Sequence, residues 1–334
     1  MPSFRFSLMG SFFPVLLCFS SVAHCQGVPQ QEAQAIRISV DRVNVGVIVT
    51  DARGHLVEGL HREDFHILDN GVEQPLTDFA AVEEPAQLLL LIEAGPAVYL
   101  LEDSHLRAAY ALLEGLSADD RIAVVKYAEA PQAILDFIPD KQAAEAALDQ
   151  LSFNLGFGSL NLASSLSKVL EWLVSVRGKK TIVLLSTGVD TSASNESALL
   201  LPQLRTSEVR LLAVSLASGL KNPPPAGKKK APAGIPSQMT EQFEQAEQFL
   251  KQMSGATGGR AYFPSNSKEF KAVFAEIAQL VRHEYSLAFA PPVSDGLVHA
   301  IEVRVDAQQK ASSKAPAAAY RVDHRRAYLA PARR

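Results

Sequence analysis

A run of five consecutive apolar residues, 88–92, constrains the fold of this chain more than any other feature. An apolar run without polar alternation is typical of a strand that is buried on both faces of a parallel sheet. The run ends in Glu93 and a Gly95-Pro96 turn. Because open α/β sheets bind ligands at the carboxyl ends of their strands, we expect the residues after this strand to line a site.

The segment that follows residue 85 repeats this pattern. Further apolar runs are separated by stretches of helical length and periodicity, which indicates a doubly wound, mostly parallel α/β sheet over residues 86–283. The predicted strands are 88–92, 122–127, 181–186 and 209–216, with 133–138 pairing as a hairpin; the predicted helices are 103–116, 141–151, 160–176, 197–207, 240–254 and 267–282.

The two flanks of this domain have the two-residue period of β-strands. Residues 36–82 predict a small amino-terminal β module, and residues 284–330 predict a carboxyl-terminal β extension with strands at 284–290, 298–305 and 320–328. A module of this size is marginally stable alone. We therefore expect the extension to pack with the first module.

The amino terminus has the order of a secretory signal. Arg5 precedes an apolar run over residues 8–19, and small and polar residues follow. We assign residues 1–25 to the signal, which predicts an exported protein, periplasmic or secreted, with no integral membrane span after cleavage. Lipid anchoring at Cys25 is the less favoured alternative, because His24 fits a lipoprotein cleavage box poorly.

Charge and motifs exclude several function classes. The formal net charge of −4 argues against a nucleic-acid partner. No Gly-x-Ser-x-Gly elbow is present, and Gly178-Lys179-Lys180-Thr181 precedes a strand and lacks the upstream glycine of a phosphate-binding loop. We therefore expect no enzymatic activity, with an exported hydrolase of unrecognised site as the alternative.

Several motifs give the chain a specific resemblance. The apolar strand with its small-residue loop, the Gly158-Ser159 loop and the second apolar strand ending in Thr187-Gly188-Val189-Asp190 resemble a von Willebrand factor type A domain. The flanks, residues 45–65 and 321–328, resemble a secreted bacterial VWFA-related subfamily. The resemblance implies a Rossmann-like fold and, in the family, a divalent cation that takes a carboxylate from a partner protein.

Carried onto this chain, the family's metal motif is degenerate. Its Asp-x-Ser-x-Ser loop, threonine and second aspartate correspond here to Glu93, Gly95, Ala97, Ser159 and Thr187, and Asp190 lies three residues beyond the last position. Hard divalent cations need several oxygen ligands, usually charged, and only Glu93 keeps a charge. We expect no metal cofactor, with Glu93 and Asp190 solvated or capping helices and Ser159 as a helix N-cap.

These observations predict a non-enzymatic, protein-binding or scaffolding protein of the cell envelope or exterior, whose partner is unknown. Its ligand-binding face would comprise the six positions at the strand ends: Glu93, Gly95, Ala97, Ser159, Thr187 and Asp190. The alternative within the same class is adhesion through Mg²⁺ or Ca²⁺ at a modified site of Glu93, Ser159 and Asp190.

Overall fold

The structure, a computed structural model, describes residues 42–82, 85–95, 104–151, 159–191, 194–217, 237–306 and 320–332. All of them belong to one compact unit, Val40–Arg334. The predicted signal at 1–25, Ala97 and residues 221–236, which include three consecutive lysines, lie outside the described residues. Within the described part of the chain, no helix combines the length and the apolar character that crossing a membrane requires.

The strands are β1 (Val43–Thr50), β2 (Phe65–Asp69), β3 (Val72–Gln74), β4 (Leu76–Val82), β5 (Ala86–Glu93), β6 (Arg121–Tyr127), β7 (Pro131–Ile138), β8 (Lys179–Ser186), β9 (Val209–Ser215), β10 (Ala261–Tyr262), β11 (Glu284–Phe289), β12 (Val298–Val305), β13 (Arg321–His324) and β14 (Ala327–Leu329). The helices are α1 (Ser104–Gly115), α2 (Lys141–Asp149), α3 (Leu162–Leu173), α4 (Ser194–Thr206), α5 (Ser237–Ala256) and α6 (Ser267–Arg282).

A six-stranded sheet forms the centre of the α/β domain, in the order β10-β9-β8-β5-β6-β7. Neighbouring strands are parallel except at β7, which pairs antiparallel with β6. Leu88 and Leu90 of β5 pack with α1, α2 and α6 on one face, and Leu89 and Leu91 pack with α3, α4 and α5 on the other. The doubly wound fold predicted from the apolar runs is therefore confirmed.

The β segments that flank this domain share two further sheets. Their orders are β13-β1-β11-β4 and β14-β12-β2-β3, so each sheet contains strands from both ends of the chain. Alternate side chains of β1, β2, β11 and β12 form one apolar core between them. Together they form a sandwich; the module boundaries at 36–82 and 284–330 remain a prediction.

One predicted strand of the extension is wrong. Residues 320–328 do not form a single strand, because β13 pairs with β1 in one sheet and β14 pairs with β12 in the other. The chain crosses between the sheets at Arg325 and Arg326, which lie in neither strand. Arg325 is buried, and its guanidinium donates to the Asn44 carbonyl of β1 (2.5 Å).

Buried ion pairs join the sandwich to the α/β domain. Arg210 of β9 contacts Glu284 of β11 (2.8 Å), and Arg260 before β10 contacts Asp323 of β13 (2.6 Å). Arg210 and Glu284 are at least nine-tenths buried. Since a buried charge without its partner is strongly destabilising, these pairs hold the two halves in one arrangement.

Candidate functional site

Glu93 and Thr187 meet at the carboxyl ends of two neighbouring strands. Glu93 is the last residue of β5, and Thr187 directly follows β8, which runs parallel to β5 in the register Ile92 to Leu185. Both side chains are buried. The sequence prediction that these two positions converge is therefore met, although Glu93 is neither solvated nor a helix cap.

The Glu93 carboxylate is held by hydroxyl and amide donors. It accepts hydrogen bonds from the Thr187 backbone N–H (2.8 Å) and from the Thr187 hydroxyl (2.8 Å to Oε2). The Ser186 hydroxyl donates from 3.0 Å, and the Tyr127 hydroxyl oxygen lies 3.3 Å from the same carboxylate oxygen. One carboxylate thus links the ends of β5, β6 and β8.

Sequence reasoning missed Tyr127 and Ser186. Tyr127 ends β6 directly opposite Glu93, and its hydroxyl lies 2.7 Å from the Ser186 hydroxyl. The Ser186 oxygen also accepts the backbone N–H of Gly188 (2.8 Å), whose φ of 78° suits glycine in this tight turn. The available signal was that each of these residues closes an apolar strand next to β5.

Burial determines the protonation chemistry of this cluster. It raises the pKa of Glu93, because the charged carboxylate loses its hydration, while the hydrogen bonds from Thr187 and Ser186 act in the opposite direction. The pKa of Tyr127 is raised well above its ordinary value by burial and by the neighbouring Glu93 charge. Tyr127 therefore acts in this cluster as a neutral hydroxyl.

An apolar side chain closes the position where the family has a serine. A Cβ atom added at Gly95 would lie only 2.8 Å from Cδ2 of Leu160 and 3.4 Å from Oε1 of Glu93. Leu160 itself is buried. A larger side chain at position 95 therefore requires the Leu160 side chain to shift.

Asp190 caps a helix. Its Oδ2 accepts the backbone N–H of Ala163 (3.0 Å) in the first turn of α3 and the Ser197 hydroxyl of α4 (3.3 Å). A carboxylate near the amino end of a helix satisfies an N–H group that lacks a partner within the helix and is favoured by the helix dipole. The predicted capping role of Asp190 is thus observed, on a helix that precedes it in sequence.

Ser159 does not cap this helix. It is exposed, α3 begins at Leu162, and the N-cap position belongs to Asn161. The neighbouring loop is held instead by Thr191, whose hydroxyl accepts the Leu160 N–H (2.7 Å). The predicted N-cap is therefore wrong, because the helix starts two residues later than its apolar pattern indicated.

The donor set at these strand ends does not suit a hard divalent cation. Mg²⁺ and Ca²⁺ require several oxygen ligands with carboxylate charge, whereas the described residues here offer the single carboxylate of Glu93, whose Oε2 already accepts from Thr187 and Ser186, and Leu160 lies against Gly95. Within the described ranges, no three acidic, histidine or cysteine side chains are placed to hold a metal ion.

Comparisons with known proteins find similarity at the level of structure. No protein-family model and no curated protein matches the chain. A von Willebrand factor type A structure from Catenulispora acidiphila is 12% identical with a TM-score of 0.47, over 80% of this chain and 74% of the other.

Two further solved structures come from Bacteroides. An aerotolerance-related membrane protein from Bacteroides fragilis is 12% identical with a TM-score of 0.44, over 59% of this chain and 98% of the other. The conserved hypothetical protein BatB from Bacteroides thetaiotaomicron is 10% identical with a TM-score of 0.40, over 59% and 98%. The fold itself is assigned from this chain's own sheet order: it is a doubly wound, von Willebrand factor type A-like α/β fold.

Proposed function

We propose that the chain is an exported, non-enzymatic protein-binding or scaffolding protein whose α/β domain contacts its partner without a metal ion. The observation that supports this most directly is the Glu93 cluster. A carboxylate that is fully buried and bound by Thr187, Ser186 and Tyr127 has no open position toward a partner. The contact would therefore be made by the surface around the strand ends, with Ser159 as its exposed described member.

The proposal rests on a division of roles between buried and exposed groups. The hydroxyl cluster fixes the ends of β5, β6 and β8, and Asp190 fixes the start of α3 and α4. Positions held in this way form a rigid platform. A rigid platform lowers the ordering cost of binding, which is a property of recognition surfaces as well as of active sites.

Site-specific photocrosslinking tests the proposal. A photoreactive residue is placed at Ser159 and, as the control, at Asp136 on the exposed side of β7. Both proteins are expressed in the native host, irradiated in the presence of EDTA, and the adducts are identified by mass spectrometry. We expect a discrete protein adduct from position 159 that is absent at position 136 and is unchanged by EDTA.

Two results would overturn the proposal. An adduct that forms only with Mg²⁺ or Ca²⁺ would establish the metal-dependent alternative at Glu93, Ser159 and Asp190. The same adducts from both positions would show that this face has no specific partner. An exported hydrolase remains the alternative from a different class, and an adduct on a small substrate in place of a protein would favour it.

A further inference from the structure

A cleft of about 510 Å³ lies at the opposite ends of the parallel strands from Glu93. Its floor includes Lys179 and Lys180, the first residues of β8, and its other wall is the sandwich, through Asn44, Gly46 and Ser286. A smaller hollow shares Asn44, Gly46, Glu208 and Glu284 with it and extends to Arg210 and Arg325. The two hollows thus adjoin between the halves of the molecule.

Two buried arginines line the inner end. The side chains of Arg210 and Arg325 are 6% and 8% exposed, respectively. Arg210 donates to the carbonyls of Gly46 and Gly258 and to the Glu284 carboxylate, and Arg325 donates to the Asn44 carbonyl. The Nε–H of each guanidinium has no hydrogen-bond partner among the described residues. Buried donors without partners are uncommon in native proteins, so these two groups need an explanation.

Among the described residues, the two hollows together have more cations than carboxylates; the larger cleft has three of each, and Arg210 and Arg325 of the smaller hollow supply the excess. Five cations line the two hollows, Arg177, Lys179, Lys180, Arg210 and Arg325, against the three carboxylates of Asp78, Glu208 and Glu284. Each carboxylate already has an arginine nearby: Glu284 has Arg210 at 2.8 Å, Asp78 has Arg42 at 3.5 Å, and Glu208 has Arg325 at 3.7 Å.

The absence of a side chain at Gly46 leaves space for Glu284 to pair with Arg210. A side chain there would overlap the Glu284 carboxylate, so glycine alone allows Glu284 to lie against Arg210. Arg177 and Lys180 line the same cleft as Glu284. Lys180 uses one of its donors on the Val176 carbonyl (3.2 Å), and an ammonium group has three.

We propose that this cleft binds a small anion with two or more carboxylate or phosphate groups. One acidic group would lie near Arg177 and Lys180, and another would lie in the part of the cleft that adjoins the smaller hollow of Arg210 and Arg325. Guanidinium and ammonium groups are suited to such a ligand, because charge-assisted hydrogen bonds are about twice as strong as neutral ones. The volume is within the range of small-molecule sites.

Thermal shift and calorimetric titration test this proposal on the full mature chain. Citrate and pyrophosphate are the probes for carboxylate and phosphate groups, and acetate and sodium chloride at matched ionic strength are the controls. We compare the double variant Arg177→Gln/Lys180→Gln with Lys268→Gln/Lys271→Gln, which removes two exposed charges from α6 outside the cleft.

We expect saturable binding of citrate or pyrophosphate that raises the melting temperature, with no comparable effect of acetate or sodium chloride. The dissociation constant should rise about tenfold or more in the cleft variant and stay within about twofold in the α6 variant. Unliganded melting temperatures establish that both variants fold. Equal weakening in both variants, or no saturable binding by either polyanion, would overturn the proposal.

Discussion

At the scale of single residues, the Glu93 carboxylate is bound by hydroxyl and amide donors. The charged loop that binds a metal in the family the sequence resembles is here a buried carboxylate surrounded by Thr187, Ser186 and Tyr127. The additional methylene of glutamate extends the carboxylate further from the backbone than aspartate would. Removing this residue should therefore affect stability.

Replacing Glu93 by alanine should lower the free energy of unfolding by about 2–4 kcal/mol, because buried donors lose their acceptor and a cavity forms. Glu93→Gln, which keeps an acceptor, should cost less. Glu171→Ala on the exposed face of α3 is the control, expected within about 0.5 kcal/mol. Urea titrations measure all three. A Glu93→Ala protein as stable as the control would contradict the assigned contacts.

The same residue gives a test based on pH. The raised pKa of Glu93 means that the native state binds its proton more tightly than the unfolded chain, so stability from this group falls as the pH rises above about 4.5. We expect the unfolding free energy of the parent protein, relative to Glu93→Gln, to decrease as the pH rises from that value. A difference that does not change with pH would be inconsistent with a desolvated carboxyl.

His324 should make the unfolding free energy depend on pH in the opposite direction. It is buried, its Nδ1 donates to the Arg325 carbonyl and its Nε2 accepts the Val303 N–H, so the ring is neutral. Burial lowers its pKa to about 4 from 6.5. The unfolded chain therefore binds more protons in this interval, and stability should be lost as the pH falls from about 6.5 to about 4, by up to about 3 kcal/mol.

Replacing His324 by glutamine removes the titrating group. The loss of stability between about pH 6.5 and pH 4 should therefore be smaller in this variant. Unfolding free energies of the parent and His324→Gln proteins at pH 7, 6, 5 and 4 measure the effect. Parallel curves for the two proteins would show that His324 does not contribute to the acid sensitivity.

At the scale of elements, the ion pair between the sandwich and the α/β domain depends on Gly46 of β1. An alanine there would displace Glu284 of β11 and break its pair with Arg210 of β9. Because a buried charge would lose its partner, Gly46→Ala should cost about 3–5 kcal/mol.

A matched glycine provides the control for this substitution. Gly255 lies within α5, and a Cβ atom there meets nothing within 4 Å. Gly255→Ala should be neutral or stabilising by up to about 1 kcal/mol, since alanine has the higher helix propensity. Thermal or urea unfolding curves measure the change in stability of the Gly46→Ala and Gly255→Ala variants. Equal effects of both substitutions would mean that the Glu284 contact does not hold the halves together.

At the scale of the whole molecule, sequence periodicity predicted the elements better than their long-range partners. The apolar runs of β5, β8 and β9 and the stripes of α3 and α6 are local signals, and the sheet they predict is observed. The two sandwich sheets combine strands from opposite ends of the chain. No local pattern specifies such pairings, and the division of 320–328 into two strands depends on them.

The hydrogen-bond partners of the candidate site could not be predicted from local sequence patterns either. Glu93, Thr187 and Asp190 were identified because each follows or lies near a strand end, yet their hydrogen-bond partners depend on register. Tyr127 reaches Glu93 because β6 pairs with β5 in a register that places the two residues opposite each other. A one-residue slip would turn Tyr127 to the other face of the sheet. Residue type alone therefore did not reveal the hydroxyl cluster.

The most direct test of the central claim is whether a divalent cation stabilises the folded protein. The mature chain, freed of metal by EDTA and then dialysed, is melted with 0 to 10 mM Mg²⁺ or Ca²⁺, with Glu93→Gln in parallel. If the hydroxyl cluster stands in place of the metal, both proteins show only the small, unsaturable shift that the ionic strength causes. A saturable increase in the melting temperature of the parent protein that Glu93→Gln abolishes would contradict the account.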